Sequence, residues 1–223
     1  MEEAARTGRD LQRFSVQCIP DGTVCVTRHV AALVVLRPGD AADDAEVLLV
    51  SSRKHPGQRT LPKGGWEGDE PLLAAALREA YEEAGLNLTN AAVLKATQHR
   101  TADAPAAMEI DHPAEAGKLP AYAKEEELPA SLEAELDKAG VPVTSLRTKD
   151  GSKWRAVPGC AFATRFHVVW LSLENASETI DVLLAEFPES AERCRSWMSL
   201  RAVDAVDAEA VGVKPVFLEI LRR

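Results

Sequence analysis

The stretch LPKGGWEGDEPLLAAALREAYEEAGL, residues 61–86, decides the fold of this 223-residue chain. Pro71 suits the first turn of a helix, and Gly85 suits its end. Between them, apolar residues recur at the three- and four-residue spacing of one helix face, at Leu73, Ala76, Leu77, Ala80 and Ala84. This spacing predicts an amphipathic helix over residues 71–84.

Apolar segments on both sides of this helix predict the strands of a sheet. Residues 24–36 and 46–51 are rich in β-forming residues and flank a turn, so they predict a hairpin. Further strands are expected at 93–96 and 162–173, and a closing helix around 203–222. Strands, a helix, more strands and a closing helix predict an α/β (α+β) fold, with a mixed sheet flanked by helices.

The length and composition predict one domain with an unusual insertion. Hydrophobic residues make up 46% of the chain and charged residues 27%, which is typical of globular proteins. We expect a single domain over 1–223, with an N-terminal arm at 1–21 and an insertion at about 102–159. The insertion is acidic first and then basic, at Arg147, Lys149, Lys153 and Arg155. Apart from a short helix at 131–139, we expect weak order, in a segment that solvates the surface or closes over the site.

The charge and the cysteines narrow the class of protein. A formal net charge of −9 disfavours indiscriminate binding to nucleic acid or to anionic membranes. No apolar run approaches the roughly 20 residues that span a bilayer, and the first residues lack a signal core. The cysteines lie far apart, which predicts buried or partly buried thiols in a reducing compartment rather than a zinc site or disulfides, at Cys18, Cys25, Cys160 and Cys194. We expect a monomer in the cytoplasm, and also in the nucleus, with no membrane partner.

Three glutamates on the predicted helix indicate a cation site. Glu79, Glu82 and Glu83 stand at i, i+3 and i+4, so they share one turn and repel one another. Carboxylate clusters suit hard divalent ions such as Mg²⁺ or Mn²⁺. The alternative is a solvated acidic helix face. The pair Gly64-Gly65 favours the cation site, because glycine lets the backbone approach a ligand and turn into the helix.

The segment as a whole resembles the Nudix signature, G-x5-E-x7-R-E-U-x-E-E-x-G-U, in which U is aliphatic. The matching residues are Gly64, Glu70, Arg78, Glu79, Ala80, Glu82, Glu83, Gly85 and Leu86. Nudix proteins are hydrolases of a nucleoside diphosphate, or of any pyrophosphate, linked to another moiety. The resemblance therefore implies a Nudix fold, a hydrolase, and Mg²⁺ as cofactor, with Mn²⁺ able to substitute.

The resemblance also implies a role for each residue around the cation. Glu79 and Glu83 hold magnesium, and the carbonyl of Lys63 is a backbone ligand. Glu82 is either the general base or a further metal ligand. Two signature residues support this centre, Arg78 by orienting the glutamates and Glu70 by stabilising the loop and helix.

A basic loop before the helix points to the substrate. Residues 47–66 include no acidic residue but carry Arg53, Lys54, Arg59 and Lys63. The loop is either a positive mouth for several phosphates or a solvated segment that balances the glutamates. Trp66 and Trp154 either stack on a base or pack internally.

The same loop resembles the diphosphoinositol polyphosphate phosphohydrolases, of the fungal type that also hydrolyses diadenosine polyphosphates. Residues 5–9, 187–190 and 195–197 share this resemblance. It implies that phosphates are held by Arg6, Arg9, Arg28, Ser52, Arg53, Lys54, Lys63, Gly64, Gly65 and Arg195.

Three hypotheses for the function follow. The first is magnesium-dependent hydrolysis of diphosphoinositol polyphosphates, and also of diadenosine polyphosphates and inorganic polyphosphate. The second is a Nudix pyrophosphatase for mRNA caps or ADP-ribose. The third is a non-catalytic polyphosphate-binding module. In each, the partner is a small-molecule polyphosphate, and nucleic acid enters only as capped RNA substrate.

Overall fold

The computed structural model describes residues 10–39, 44–55, 57–88, 107–115, 117–173, 182–205 and 212–222. The predicted phosphate ligands Arg6 and Arg9 lie outside these described residues, as does the strand predicted at 93–96.

The described strands run through most of the chain. They are β1 (Phe14–Cys18), β2 (Val24–Pro38), β3 (Ala45–Ser51), β4 (Arg59–Thr60), β5 (Lys63–Gly65), β6 (Ala107–Pro113), β7 (Arg147–Asp150), β8 (Lys153–Ala156), β9 (Cys160–Ser172) and β10 (Arg195–Ser199). The described α-helices are α1 (Leu72–Ala84), α2 (Ala130–Ala139), α3 (Leu200–Ala205) and α4 (Pro215–Leu221). The predicted hairpin, the strand at 162–173 and the helix at 71–84 are thereby confirmed. The predicted closing helix is described as α3 and α4, and α4 begins at a proline, which suits a first turn.

The main sheet is mixed. Its strands lie in the order β10-β3-β2-β9-β6, with β1 and β5 also paired to β2 and β4 to β3. Residues 24–36 of β2 pair in parallel with 160–172 of β9, whereas β6 pairs antiparallel with β9. Helices pack on both faces, so the predicted mixed-sheet fold is confirmed.

Each face of β2 packs against a different helix. Ala31 and Leu33 face a core that includes α1, and Val34 faces the core around α4. The ring of Phe166 meets that of Phe217 edge to face, with centroids 5.4 Å apart. Since side chains alternate along a strand, one continuous apolar run supplies both cores.

Helix α1 lies close to the sheet because its buried stripe is made largely of alanine. Ala76, Ala80 and Ala84 are fully buried. At the carboxyl end, Gly85 adopts φ 68°, and its N–H donates to the Tyr81 carbonyl at 2.9 Å. The left-handed turn ends the helix and satisfies its last carbonyls.

The insertion is better ordered than its composition predicts. Residues Ala107–Pro113 form β6 of the main sheet, and the helix predicted at 131–139 is confirmed as α2. Buried residues from this region, Leu119, Tyr122, Leu132, Leu136 and Leu146, form a third core with Phe14, Val26 and Phe162. The prediction of weak order is therefore wrong for its described part. A few well-spaced apolar side chains are enough, and average composition conceals them.

Two other expectations concern the cysteines and the membrane. The four cysteines lie in the described part of the chain and are free thiols. Cys25 and Cys160 are half-buried, whereas Cys18 and Cys194 are exposed, so the prediction of burial is wrong for these two. No described helix has the length and apolar character needed to span a bilayer.

A hydrogen-bonded chain of side chains crosses four strands. Ser15 Oγ lies 3.1 Å from His29 Nε2, and His29 Nδ1 lies 2.8 Å from His167 Nε2. His167 Nδ1 lies 3.1 Å from the Glu109 carboxylate. A carboxylate can only accept hydrogen bonds. When both rings are neutral, His167 therefore donates to Glu109, His29 donates to His167, and Ser15 donates to His29.

We predict that this histidine pair makes the protein less stable at acidic pH. Burial, together with the charges of His167 and Arg165, lowers the pKa of His29 from 6.5 to about 4, against the opposing charge of Glu109. Between these two values the unfolded chain binds a proton that the native chain does not. The free energy of unfolding should therefore fall as pH drops through this range, by up to about 1.4 kcal/mol per pH unit.

Urea denaturation at several values between pH 7.5 and pH 4.5, on the parent and on His29→Gln, measures this effect. The variant should show the shallower dependence, since it keeps only the contribution of His167. Parallel profiles for the two proteins would contradict the prediction.

Candidate active site

The three glutamates of α1 line a cavity of about 390 Å³, to which the inner strands β2 and β9 also contribute. The strand β5 forms one wall, because residues 63–65 pair with residues 30–32 of β2. Acidic lining residues are Glu67, Glu79, Glu82, Glu83 and Glu189. Basic lining residues are Arg28, Arg53, Lys63, Arg78 and Arg193. The cavity thus places a cluster of acids beside a cluster of cations.

The glycine pair lets two side chains come close to the backbone. A Cβ on Gly64 would lie 1.9–2.2 Å from the carboxylate of Glu79, so the carboxylate or the backbone would have to move. A Cβ on Gly65 would lie 2.2 Å from Gln12 Oε1. Glycine at these two positions therefore permits the close approach of the Glu79 and Gln12 side chains to the backbone. The sequence analysis expected a close approach at this pair, but to a ligand.

Arg78 links the loop to the helix. Its guanidinium donates to both carboxylate oxygens of Glu70, at 2.8 and 3.2 Å, and to the Gly65 carbonyl at 2.9 Å. It also donates to Glu79 Oε1 at 2.8 Å and lies 3.6 Å from Glu82. These contacts suit the orienting role that the resemblance implies for Arg78 and the supporting role of Glu70.

Glu79 is held where ionisation is unfavourable. Burial raises the pKa of its carboxyl from 4.5 to about 7; the charge of Arg78 opposes this, and Glu83 and Glu82 add to it. Only 9% of Glu79 is exposed. A divalent cation would offset this cost, because an adjacent positive charge favours the ionised carboxylate.

Glu83 is fixed from two sides. The backbone N–H of Lys63 donates to Glu83 Oε2 at 3.0 Å, and the Arg193 guanidinium donates to Oε1. Burial raises the pKa of Glu83, while Lys63 and Arg193 lower it.

The donor set fits a hard divalent cation. Three buried carboxylates on neighbouring helix positions supply the oxygen ligands that Mg²⁺ and Mn²⁺ prefer. The described residues contain no cluster of three acid, histidine or cysteine side chains already converged on one point. Instead, Arg78 and Arg193 neutralise the carboxylates. Glu79 and Glu83 would hold the ion, with Glu82 and the Lys63 carbonyl as the other candidates.

The predicted phosphate ligands take different places. Arg28, Arg53, Lys63, Gly64 and Gly65 line the cavity. Arg28 Nε donates to Gln12 at 3.0 Å, and Arg53 donates to Glu189 at 3.1 Å.

Two others stabilise the surrounding backbone. The Ser52 N–H donates to the Gln58 carbonyl at 2.8 Å, and its hydroxyl accepts from the His55 N–H at 3.3 Å. Arg195 donates to the carbonyls of Ala84 and Leu184 at 2.7 and 2.6 Å, at the end of α1. Among the described residues, those that line the cavity include neither Ser52 nor Arg195.

Sequence reasoning gave no site role to Gln12, Glu189 or Arg193, which line the cavity. The resemblance at 187–190, with Arg193 following it, was the available signal for Glu189 and Arg193. Lys214 is not among the described residues that line the cavity, but burial lowers its pKa and the charges of Lys63, Lys54 and Arg193 lower it too.

In its described part, the insertion does not form the lid that was one expectation. Among the described residues that line the cavity, none lies between 114 and 159. Arg147 is buried and donates to the carbonyls of Ala123, Glu125 and Glu126. Lys149 pairs with Glu126 at 2.7 Å. These cations therefore serve the insertion's own structure.

Both tryptophans have packing partners. Arg13 lies 4.3 Å above the Trp66 ring, and the edge of His167 meets it at 4.8 Å. Arg147 lies 4.0 Å above Trp154. The described structure thus favours internal packing over base stacking for these rings.

The chain has relatives among known proteins. The chain matches the NUDIX domain family over residues 27–159, more than half its length. It therefore belongs to the Nudix family.

Curated relatives match a shorter part of the chain. Nudix hydrolase 21, chloroplastic, of Arabidopsis thaliana is 42% identical over 82 residues, which cover 37% of this chain and 38% of the relative. Nudix hydrolase 13, mitochondrial, of the same plant is 42% identical over 91 residues, covering 37% and 41%. The match thus spans less than half the length of these relatives. Their names give organelles, whereas cytoplasm and nucleus remain our prediction for this chain.

Solved structures with a similar fold are more distant in sequence. An Ap4A hydrolase binary complex of C. elegans is 17% identical, with a TM-score of 0.39, covering 87% of this chain and 92% of that one. A bifunctional NMN adenylyltransferase/ADP ribose pyrophosphatase of Francisella tularensis is 17% identical, with a TM-score of 0.41, covering 83% and 36%.

Proposed function

We propose that this chain is a Mg²⁺-dependent hydrolase of phosphoanhydride bonds in diphosphoinositol polyphosphates. Diadenosine polyphosphates and inorganic polyphosphate are the further substrates we propose. The observation that carries the proposal is that one cavity is lined both by the three glutamates of α1 and by basic side chains. Glu79, Glu82 and Glu83 are among its acidic lining residues, and Arg28 and Arg53 are among its basic ones.

The number of nearby cations favours a substrate with many phosphates. Basic lining residues of the cavity include Arg28, Arg53, Lys63 and Arg193. Burial lowers the pKa of Lys214, and the charges of Lys63, Lys54 and Arg193 add to this effect. A cluster of like charges is unfavourable by itself and becomes favourable when anions bind between its members. An inositol ring that carries phosphates around its whole edge can occupy more of these cations than the two phosphates of ADP-ribose can.

The acidic and the basic residues of the cavity have different roles in the chemistry. A bound magnesium ion would lower the pKa of water and stabilise developing charge on phosphate oxygens. Glu82 accepts a proton as the water oxygen attacks phosphorus in line. The P–O bond to the leaving phosphate then breaks, while Arg28 and Arg53 hold the remaining phosphates.

We expect hydrolysis of polyphosphate substrates to depend strictly on the cation. With Mg²⁺, hydrolysis of diphosphoinositol pentakisphosphate and diadenosine hexaphosphate, followed by chromatography of the products, should exceed hydrolysis of ADP-ribose and a cap dinucleotide by at least about tenfold in kcat/KM. The smaller substrates leave some of the cations without a phosphate partner and so lose that binding energy. Chelation should abolish turnover, and added Mg²⁺ or Mn²⁺ should restore it.

The same panel separates the competing hypotheses. Faster turnover of ADP-ribose or of the cap would replace the proposed substrate by the second hypothesis. Binding of diphosphoinositol pentakisphosphate without turnover of any compound would support the non-catalytic module.

A further inference from the structure

We infer that Arg193 is a positioning residue, which holds the Glu83 carboxylate for the cation and is itself held by Glu189. This inference rests on the proposed function. It assigns this role to a residue that lies outside α1, 110 positions after Glu83 in the sequence.

The contacts of Arg193 use all sides of its guanidinium. One nitrogen donates to Glu83 Oε1, and the Nε donates to Glu189 Oε2. The remaining terminal nitrogen donates to the Ser51 carbonyl at 2.8 Å. Arginine has a planar fork with five N–H donors, so it can serve three acceptors at once, as the compact ammonium of lysine cannot in the same geometry.

The contact with Glu83 is buried and directional. The side chains of Arg193 and Glu83 are only 7% and 5% exposed. The other Glu83 oxygen accepts the Lys63 N–H at 3.0 Å, so both oxygens have defined directions. A fixed carboxylate loses less conformational freedom when a ligand binds.

Two arginines thus share the acidic cluster. Arg78, on α1 itself, contacts Glu79 at 2.8 Å and lies 3.6 Å from Glu82. Arg193 reaches the third member, Glu83, from the segment before β10. Hydrogen-bond partners behind a metal ligand typically change metal affinity or activity by about 10–100-fold when they are removed.

The segment that carries Arg193 has other anchors. The Glu189 N–H donates to the Glu82 carbonyl at 3.0 Å, and Arg195 binds the end of α1. Attachment of this segment therefore does not depend on Arg193 alone. Orientation of Glu83 is the role that these anchors cannot supply.

Glu189 also links Arg193, the partner of Glu83, to Arg53, a basic residue of the cavity lining. Its Oε2 accepts from Arg193, and its Oε1 accepts from Arg53 at 3.1 Å. Glu192 contacts Arg53 at 2.6 Å, with 54% of its side chain exposed. Glu192 therefore offers a matched control that alters the pairing of Arg53 while leaving the contacts of Arg193 unchanged.

The test measures Mn²⁺ binding to the full chain by electron paramagnetic resonance, without substrate. Arg193→Lys, which keeps the charge but not the fork, should raise the Mn²⁺ dissociation constant by about 10–100-fold. Its kcat for diphosphoinositol pentakisphosphate should fall while KM changes by less than about threefold, since only ion placement is affected. Glu189→Gln should weaken Mn²⁺ binding in the same direction, whereas Glu192→Gln should bind Mn²⁺ as the parent does.

Thermal melting separates a structural role from a positioning role. A lower Tm for Arg193→Lys with an unchanged Mn²⁺ dissociation constant would overturn the inference. Should Arg193→Lys fail to fold, Glu189→Gln decides, and parent-like Mn²⁺ binding in that variant would overturn it. A parent that neither binds Mn²⁺ nor hydrolyses phosphoanhydrides would instead overturn the proposed function, and the inference with it.

Discussion

Replacing Glu82 by glutamine should lower kcat by about 10²–10⁴-fold, the usual effect of removing a general base. Glutamine keeps the size of the side chain but cannot accept a proton from water at neutral pH. Glu82 lies in the cavity between Glu79 and Glu83, and 8% of the residue is exposed. Phosphate release measures kcat, and calorimetry with diphosphoinositol pentakisphosphate measures binding, which should be retained.

The same variant distinguishes the two roles left open for Glu82. If Glu82 is the base, Glu82→Gln should bind Mn²⁺ nearly as the parent does. If it is mainly a metal ligand, its Mn²⁺ affinity should fall along with kcat. Glu133→Gln, on helix α2 and exposed, is the control for loss of an acid on a helix. Full kcat in Glu82→Gln would exclude both roles.

Replacing Gly64 by alanine should lower kcat by about 10²-fold, because a displacement of the order of 1 Å at a reacting centre has that effect. The added Cβ would lie 1.9–2.2 Å from the Glu79 carboxylate, so either Glu79 or the backbone must move. The backbone is restrained, since Gly64 pairs with Ala31 of β2. Displacement of Glu79, and weaker Mn²⁺ binding, is the expected consequence.

Gly68→Ala provides the matched control for this change. It lies in the same loop, and its added Cβ would meet only the Leu11 carbonyl, at an ordinary 3.6 Å. Steady-state kinetics and Mn²⁺ titration of both variants measure the difference. If Gly64→Ala kept the kinetics and Mn²⁺ affinity of Gly68→Ala, the close packing of Gly64 on Glu79 would have no catalytic consequence.

The local structure around α1 could be predicted from the sequence. A helix has a fixed period, so the positions of Glu79, Glu82 and Glu83 on one turn followed from their spacing alone. Proline and glycine mark the ends of α1 for equally local steric reasons. The mixed sheet and the Nudix family were predictable for the same reason, because their signals lie within short segments.

The structure of the insertion was not predictable in this way. Its composition is acidic on average, and composition cannot show that Leu132, Leu136 and Leu146 meet Phe14 and Phe162 in one core. Nor does it show that β6 joins the main sheet beside β9. Both depend on pairing between distant segments.

The sequence by itself determined the acidic turn, the glycine bend and the basic loop, because each depends on neighbours within a few residues. Only the tertiary structure brought Arg193 and Glu189 to the same cavity from the last part of the chain, and placed Lys214 where the charge of Lys63 lowers its pKa. It also decided that Glu79 is buried enough for its pKa to reach about 7. Burial and charge proximity depend on distances through space, which chain folding sets and local spacing does not.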